Sequence, residues 1–357
     1  MNESIEYVLT NRVTLLAMTV VLSLLTGCAS FKGVWPHQQQ ACYSPSSAGA
    51  TKPGGTAKEP EFISPKHKSK TLRVVTYNTH LLPSIALPFA GRRSKAEYRA
   101  SEIATQLAGY DLLGLCEVFD SSTRQRLLET VRSQTGDACS VAHGPSRSGT
   151  HLIGGGLLLL SRYPITDTHT ITFRNRTRIV THGFKADGFA AKGALHARLQ
   201  VDDVALDCFL THLDSQSSEI RSRQLNELGA FISQFAKSEN PVVIMGDMNI
   251  PFSADHDANQ STGYGELISV LSASLDRDVF DLGSTLAEGP AGSSDAIASN
   301  GGMRIDYIFI SNPESSALPQ LEARPANHLR LLDSNVPDGS LSDHLAVSCD
   351  IATVSGP

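Results

Sequence analysis

The chain has 357 residues, a formal net charge of −6, 41% hydrophobic residues and 18% charged residues. This composition supports a packed core and excludes a disordered tail. The net negative charge argues against a broad nucleic-acid clamp, which needs a strongly basic face, but it leaves room for a local basic groove. The length suits one large domain or two small ones.

The first 70 residues have the pattern of an export signal followed by a tether. Residues 13–25 form an uncharged apolar run that is too short for a bilayer-spanning helix, which needs about 20 residues, but typical of the core of a secretory signal. The motif LTGC, ending at Cys28, resembles a bacterial lipobox, in which the cysteine is lipidated after cleavage. We expect a signal peptide at 1–27, a Pro/Ser/Gly-rich tether at 28–70 and a folded domain at 71–357.

A lipidated Cys28 would anchor the chain in the bacterial cell envelope. Ala29 rather than Asp follows the cysteine, and this favours the outer membrane. The alternative is an ordinary signal peptide with an incidental cysteine. The first twelve residues contain one arginine, Arg12, and two glutamates, so they are poorly basic for a signal. The sequence does not indicate a protein partner.

Short apolar runs alternate with amphipathic stretches from Thr71 onward. The predicted strands are Leu72–Tyr77, Leu112–Cys116, Gly154–Leu160, Ile171–Phe173, Ala194–Val201, Val204–Thr211, Val242–Gly246, Ile305–Ile310 and Leu345–Ile351. The predicted helices are Ser94–Leu107, Asp120–Thr135 and Ser217–Ala236. Continuous apolar runs indicate strands buried on both faces, so we predict two packed sheets with helices outside them.

Several predicted strands end or begin at polar residues. These residues are Asn78, Glu117, His212, Asp247 and the pair Asp343-His344. One such residue is ordinarily a solvated turn or cap, but together they can meet at one rim of a sandwich. The set holds carboxylates for a hard cation, imidazoles for proton transfer and an amide for hydrogen bonding. The sequence contains no HExxH, GxSxG or P-loop pattern.

Six segments, in order, resemble the endonuclease/exonuclease/phosphatase superfamily: TYNTHLL, GLCEVFD, THLDS, MGDMN, RIDYIFI and LSDHLAV. Within it, EVFD at 117–120 and DGFAAK at 187–192 resemble the bacterial neutral sphingomyelinases. The resemblance implies an α/β fold, a DNase I-like four-layer sandwich of two packed, mostly antiparallel β-sheets flanked by helices. It also implies that 71–357 is a catalytic domain.

The resemblance implies a metal site. It makes Glu117 the principal ligand of Mg²⁺, with Mn²⁺ as the alternative ion. Asn78 would lie beside Glu117 as a direct or water-mediated ligand, and Asp343 would orient the site or ligate the ion. Asn78 has the simpler alternative of capping a turn.

The resemblance also implies catalytic and substrate-binding roles. His344 would be the general base on the attacking water, and Asp306, whose simpler role is a buried hydrogen-bond anchor, would orient it. Asp247 and Asn249 would hold the water and a phosphate oxygen, while His212 donates to the pentacoordinate phosphate.

The same resemblance places Asp187 and Lys192 in a loop near the substrate phosphate. We expect this pair to be exposed, so that its loss would barely change stability.

The predicted function is therefore a Mg²⁺-dependent phosphodiesterase acting on a phospholipid head group, with sphingomyelin, cleaved to ceramide and phosphocholine, as the leading substrate. The alternative is a secreted nuclease or another phosphoester hydrolase on the same scaffold. We expect no stable nucleic-acid partner.

Overall fold

The structure, a computed structural model, describes residues 70–83, 95–136, 139–147, 153–177, 190–252, 263–283, 304–336 and 339–354. The predicted signal, Cys28 and all of the tether but its last residue lie outside the described residues, as does Asp187. Among the helices in the described ranges, none is long and apolar enough to cross a membrane.

The described strands form two mixed sheets. The first contains β1 (Lys70–Leu81), β2 (Leu112–Val118), β3 (Ser140–His143), β4 (Leu158–Ser161), β11 (Gln320–Ala323), β12 (Asn327–Leu329) and β13 (Ala346–Val354). The second contains β5 (Ile165–Thr172), β6 (Gly193–Val201), β7 (Val204–His212), β8 (Val242–Asp247), β9 (Phe280–Asp281) and β10 (Asp306–Ser311). The strand orders are β11-β13-β1-β2-β4-β3, with β12 also beside β13, and β5-β6-β7-β8-β10-β9.

Helices cover the outer faces of both sheets. They are α1 (Ala96–Leu107), α2 (Ser121–Thr135), α3 (Ser218–Phe235) and α4 (Gly263–Leu275). Ile103 of α1 and Leu127 of α2 share a buried cluster with the first sheet, and Leu228 of α3 packs with the second sheet. A third cluster, which includes Leu210 and Val347, lies between the sheets. The predicted four-layer architecture is confirmed.

A local sequence signal accounts for the start of α3. Ser217 caps this helix, because its Oγ accepts a hydrogen bond from the Ile220 amide at 3.3 Å. The predicted strand Gly154–Leu160 is wrong in its first half, since β4 begins at Leu158. The glycines there belong to a close-packed irregular segment: a Cβ on Gly156 would lie 2.7 Å from the Phe119 ring.

Strand direction explains why the polar strand ends meet. β1 and β2 are parallel, as are β7 and β8, so each pair delivers its carboxyl ends to one edge. β10 runs antiparallel to β8 and places Asp306 opposite Asp247. β13 runs antiparallel to β1 and begins two residues after His344. The topology therefore collects two strand starts and four strand ends at one rim.

Gly246, near the end of β8, lies where no side chain fits. Its φ is 135°, and a Cβ would lie 2.0 Å from the Thr211 carbonyl oxygen. Gly246→Ala should lower the free energy of unfolding by about 3 kcal/mol or more, because the β7–β8 pairing must open. Gly339→Ala is the control: its φ is 64° with nothing near the added Cβ, so about 1–2 kcal/mol is expected. Urea unfolding measures both changes, and an equal loss of unfolding free energy in Gly246→Ala and Gly339→Ala would contradict this explanation.

Candidate active site

Asn78 joins the two sheets at the rim. It is buried near the end of β1, three residues before Leu81, and its Nδ2 donates to Glu117 Oε1 at 3.1 Å and to Asp247 Oδ2 at 2.9 Å. Glu117 belongs to the first sheet and Asp247 to the second. One amide therefore fixes the spacing of two carboxylates that would otherwise repel each other.

Three residues at this rim have left-handed backbone conformations. The φ angles of His80, Glu117 and Asn249 are 49°, 61° and 50°. Non-glycine residues adopt this region at a cost of roughly 1–3 kcal/mol, and such strain concentrates at functional sites. The conformation at Glu117 accompanies its position near the end of β2, where its side chain remains partly accessible at 18% exposure.

His344 and Asp306 form a buried pair. His344 Nδ1 lies 2.7 Å from Asp306 Oδ2, which leaves Nε2 facing the site, 3.9 Å from Asp247 Oδ2. Asp306 Oδ1 is buried and accepts no hydrogen bond from the described residues. A carboxylate on Nδ1 holds the imidazole in one orientation and directs its other nitrogen at the site.

The pair binds a proton tightly. Burial opposes the charged form of His344, but the carboxylates of Asp306, Asp247 and Asp343 together outweigh burial, so the net effect is a raised pKa. Burial, together with the Asp247 charge, also raises the pKa of the Asp306 carboxyl. Both effects favour a proton shared by the two groups over a wide pH range.

His212 lies at the centre of the charged groups. Its Nε2 is 3.4 Å from Asp247 Oδ2 and 3.9 Å from Glu117 Oε1. Lys192 Nζ is 3.0 Å from the same nitrogen and donates to the Leu213 carbonyl at 2.7 Å. His212 therefore reaches carboxylates of both sheets, and an ammonium lies beside it.

The expectation that Lys192 is exposed is wrong. The residue is 7% exposed, because it precedes β6 and its side chain extends inward to the end of β7. The predicted partner, Asp187, lies outside the described residues.

Asn249 also has a defined place. Its backbone amide donates to Asp247 Oδ1 at 2.9 Å, and its Nδ2 donates to the Leu213 carbonyl at 3.0 Å. The turn after β8 therefore holds the Asp247 carboxylate from one side, while Asn78 holds it from the other.

Asp343 contacts His80, a residue that the sequence analysis did not select as a site residue. His80 Nδ1 lies 2.5 Å from Asp343 Oδ1, and Ser342 Oγ donates to the Asn78 carbonyl at 2.7 Å. The sequence offered only one signal for His80, its place two residues after Asn78 in TYNTHLL.

The structure thus brings together nearly every predicted site residue that it describes. Asp247, Asp306 and His344 form a group whose ligand atoms all lie within 4.8 Å of one another and could hold a metal ion. Glu117, Asn78 and His212 contact this group through Asp247 or each other. The arrangement can bind a cation, hold a water and accept its proton.

Comparisons with known proteins identify the family of the chain. The profile of the Endonuclease/Exonuclease/phosphatase family matches residues 75–344. Sphingomyelinase C 2 of Leptospira interrogans is 26% identical over 232 residues, which are 59% of this chain and 35% of that protein. The chain therefore spans about a third of the length of this curated relative.

Two solved structures share the fold. Beta toxin from Staphylococcus aureus, a variant with bound magnesium ions, superposes with a TM-score of 0.53 at 16% identity and covers 78% of this chain and 99% of its own. D. rerio TDP2, complexed with a single-strand DNA product, superposes with a TM-score of 0.53 at 17% identity. The superposition covers 79% of this chain and 98% of the TDP2 chain. The same scaffold therefore occurs in proteins with different ligands.

Lys192→Met should lower the free energy of unfolding by about 1–3 kcal/mol, because it removes buried hydrogen bonds and a positive charge among carboxylates. Lys70→Met is the matched control, since Lys70 forms an exposed pair with Asp202. That change should cost less than about 1 kcal/mol. Chemical unfolding of both variants tests the difference, and a Lys192 variant as stable as the control would refute the buried role.

Asp306→Asn should lower the pKa of His344, because it removes the carboxylate that raises it. The raised pKa stabilises the fold fully below the unfolded value of about 6.5, and this contribution disappears as pH rises through the folded pKa. The stability gap between wild type and Asp306→Asn should therefore narrow at alkaline pH. NMR titration of His344 in metal-free protein measures the shift directly, and an unchanged His344 pKa would contradict the assignment.

Proposed function

Because the chain belongs to the Endonuclease/Exonuclease/phosphatase family, we propose that it is a metal-dependent phosphodiesterase that hydrolyses a phospholipid head group. The leading substrate is sphingomyelin, cleaved to ceramide and phosphocholine. The observation that carries the proposal is the His344–Asp306 pair set beside carboxylates that Asn78 bridges across the sheets. This combination supplies both requirements of the reaction, charge neutralisation and water activation.

The donor set suits a hard divalent cation. Oxygen atoms dominate it, from the carboxylates of Glu117, Asp247 and Asp343 and the amide of Asn78, and such ligands favour Mg²⁺ or Mn²⁺. Glu117 and Asn78 would hold the ion, with Asp343 as a further ligand or orienting group. When bound, the ion supplies Lewis-acid neutralisation of the phosphodiester.

His344 acts as the general base when a cation is bound, because the positive charge of the ion would oppose the raised pKa that keeps His344 protonated in the metal-free protein. Its Nδ1 is held by Asp306, so Nε2 is the nitrogen that takes the proton from water. Asp247 orients that water, since its carboxylate lies between the two imidazoles.

His212 and Lys192 supply positive or donating groups on the opposite side of Asp247. They stabilise the charge that develops on the phosphate oxygens. Asp187 is proposed to act with Lys192 at the substrate.

Two considerations favour a lipid over a nucleic-acid substrate. The curated relative reported above is a sphingomyelinase, and the net charge of −6 does not favour a nucleic-acid-binding face. A nuclease remains the second candidate because D. rerio TDP2 shares the fold and holds a DNA product.

Membrane attachment fits a lipid substrate. We propose that Cys28 is lipidated and anchors the domain to the bacterial outer membrane through the tether at 28–70. Two-dimensional access to lipid head groups would follow from such an anchor.

Glu117→Gln should abolish metal-supported turnover while the fold persists, because it removes one ligand charge and leaves the side-chain volume unchanged. The control is Glu129→Gln, on the exposed face of α2, where Glu129 contacts Gln125. Turnover with and without excess EDTA measures the effect. Undiminished wild-type activity in EDTA would exclude the metal.

A substrate panel tests the chemistry and the specificity together. Purified wild type and His344→Ala are assayed with Mg²⁺ on sphingomyelin micelles, phosphatidylcholine micelles, and single- and double-stranded DNA. We expect phosphocholine release from sphingomyelin by wild type and a loss of several orders of magnitude in His344→Ala. DNA cleavage without phosphocholine release would replace the lipid assignment by the nuclease one.

A further inference from the structure

A buried arginine lies behind the candidate active site. Arg99 of α1 is 2% exposed and is among the largest fully enclosed side chains. Arginine is rarely so buried unless its donors are satisfied, since burying an unsatisfied charge is costly. The partners of Arg99 therefore indicate what its position achieves.

The guanidinium donates to backbone carbonyls of two segments. Nη1 donates to the His80 carbonyl at 3.0 Å and Nη2 to the Thr79 carbonyl at 2.7 Å, both in β1 just after Asn78. Nε donates to the Leu341 carbonyl at 3.0 Å, and Nη2 also reaches that oxygen. Leu341 lies two residues before Asp343 and three before His344.

These two segments carry different groups of the site and meet where β1 pairs with β13, since Thr76 lies opposite Val347. Ser342 Oγ donates to the Asn78 carbonyl, and His80 contacts Asp343. His80 has a φ of 49°, a conformation that needs support from its surroundings. The planar fork of Arg99 supplies that support, because it fixes the His80 carbonyl and the Leu341 carbonyl relative to one another.

We propose that Arg99 is a positioning residue for the reaction, which sets the distance between the metal-binding end of β1 and the Asp343-His344 segment. The expected change in kcat rests on the proposed function, whereas the expected changes in Mn²⁺ affinity and in the histidine NMR signals do not. Arg99 touches neither substrate nor metal and acts through His80 and Asp343. Outer groups that orient metal ligands typically contribute 10–100-fold to metal affinity or activity.

Arg99→Lys is the primary variant, since lysine keeps the positive charge but lacks the planar guanidinium that donates to the carbonyls of both segments at once. Arg277→Lys is the matched control. Arg277 also donates to two backbone carbonyls, those of Ser238 and Asn240, at 3.1 and 2.7 Å. These precede β8, at the end opposite the site. Arg99→Lys should lose more thermal stability than Arg277→Lys, because Arg99 is more deeply buried and makes more hydrogen bonds, so all assays are made below both melting temperatures.

Three readouts separate positioning from bulk structure. Mn²⁺ affinity, measured by electron paramagnetic resonance, should weaken about 10-fold in Arg99→Lys, and kcat should fall about 100-fold with KM nearly unchanged. In metal-free protein, the ¹⁵N-histidine NMR signals of His80 and His344 should shift. Arg277→Lys should leave all three readouts near the wild-type values.

Arg99→Met removes the charge as well as the planar donor group, so its Mn²⁺ affinity and kcat should fall further than those of Arg99→Lys. The smaller loss in Arg99→Lys would show that the positive charge alone restores part of the function. If wild type proves inactive on every phosphodiester, the proposed function fails, and the Mn²⁺ and NMR readouts still decide the role of Arg99. The proposal is overturned if Arg99→Lys and Arg277→Lys change these readouts equally.

Discussion

The hydrogen bonds of the Asn78 amide are the constraint on which the site depends. One nitrogen donates to a carboxylate of each sheet, so the spacing of the two sheets and the spacing of Glu117 and Asp247 are set by the same contact. Carboxylates this close repel each other unless a donor or a cation lies between them. The amide provides part of that compensation, and the ammonium of Lys192 provides another part through His212. The remaining negative charge is what makes the rim attractive to a divalent cation.

The topology turns these separate strand ends into one site. Parallel pairing of β1 with β2 and of β7 with β8 is exceptional in otherwise antiparallel sheets, and each parallel pair delivers two carboxyl ends to the same edge. The two sheets pack through a core that includes Leu210, Met245 and Val347, which brings those edges together. The proposed catalytic side chains therefore lie at or near strand ends within a rigid sandwich, where preorganised geometry costs little at the moment of reaction.

Local patterns predicted much of the fold and of the site. Continuous apolar runs predicted the strands that carry Asn78, Glu117 and Asp247, because such runs indicate burial on both faces, although β1 continues beyond its predicted end to Leu81. The helix α4 escaped prediction because Gly263 and Gly265 at its start weaken the helical signal.

Features that depend on distant partners could not be predicted. Lys192 is buried because the end of β7 offers it His212 and the Leu213 carbonyl, a contact between strands that periodicity does not report. The role of His80 depends on Asp343, 263 residues away in the chain. The proposed positioning role of Arg99 depends on hydrogen bonds to backbone carbonyls, and every residue has a carbonyl, so the sequence does not mark these partners.

The central claim is that a cation bound at Glu117 leaves His344 free to take a proton from water. Anomalous diffraction from crystals soaked in Mn²⁺ tests it directly, because the described residues offer a competing group, Asp247, Asp306 and His344. We expect an anomalous peak at coordination distance from the Glu117 carboxylate, with His344 Nε2 not bound to the ion. A peak ligated by His344 Nε2, with none at Glu117, would contradict both the metal site and the base.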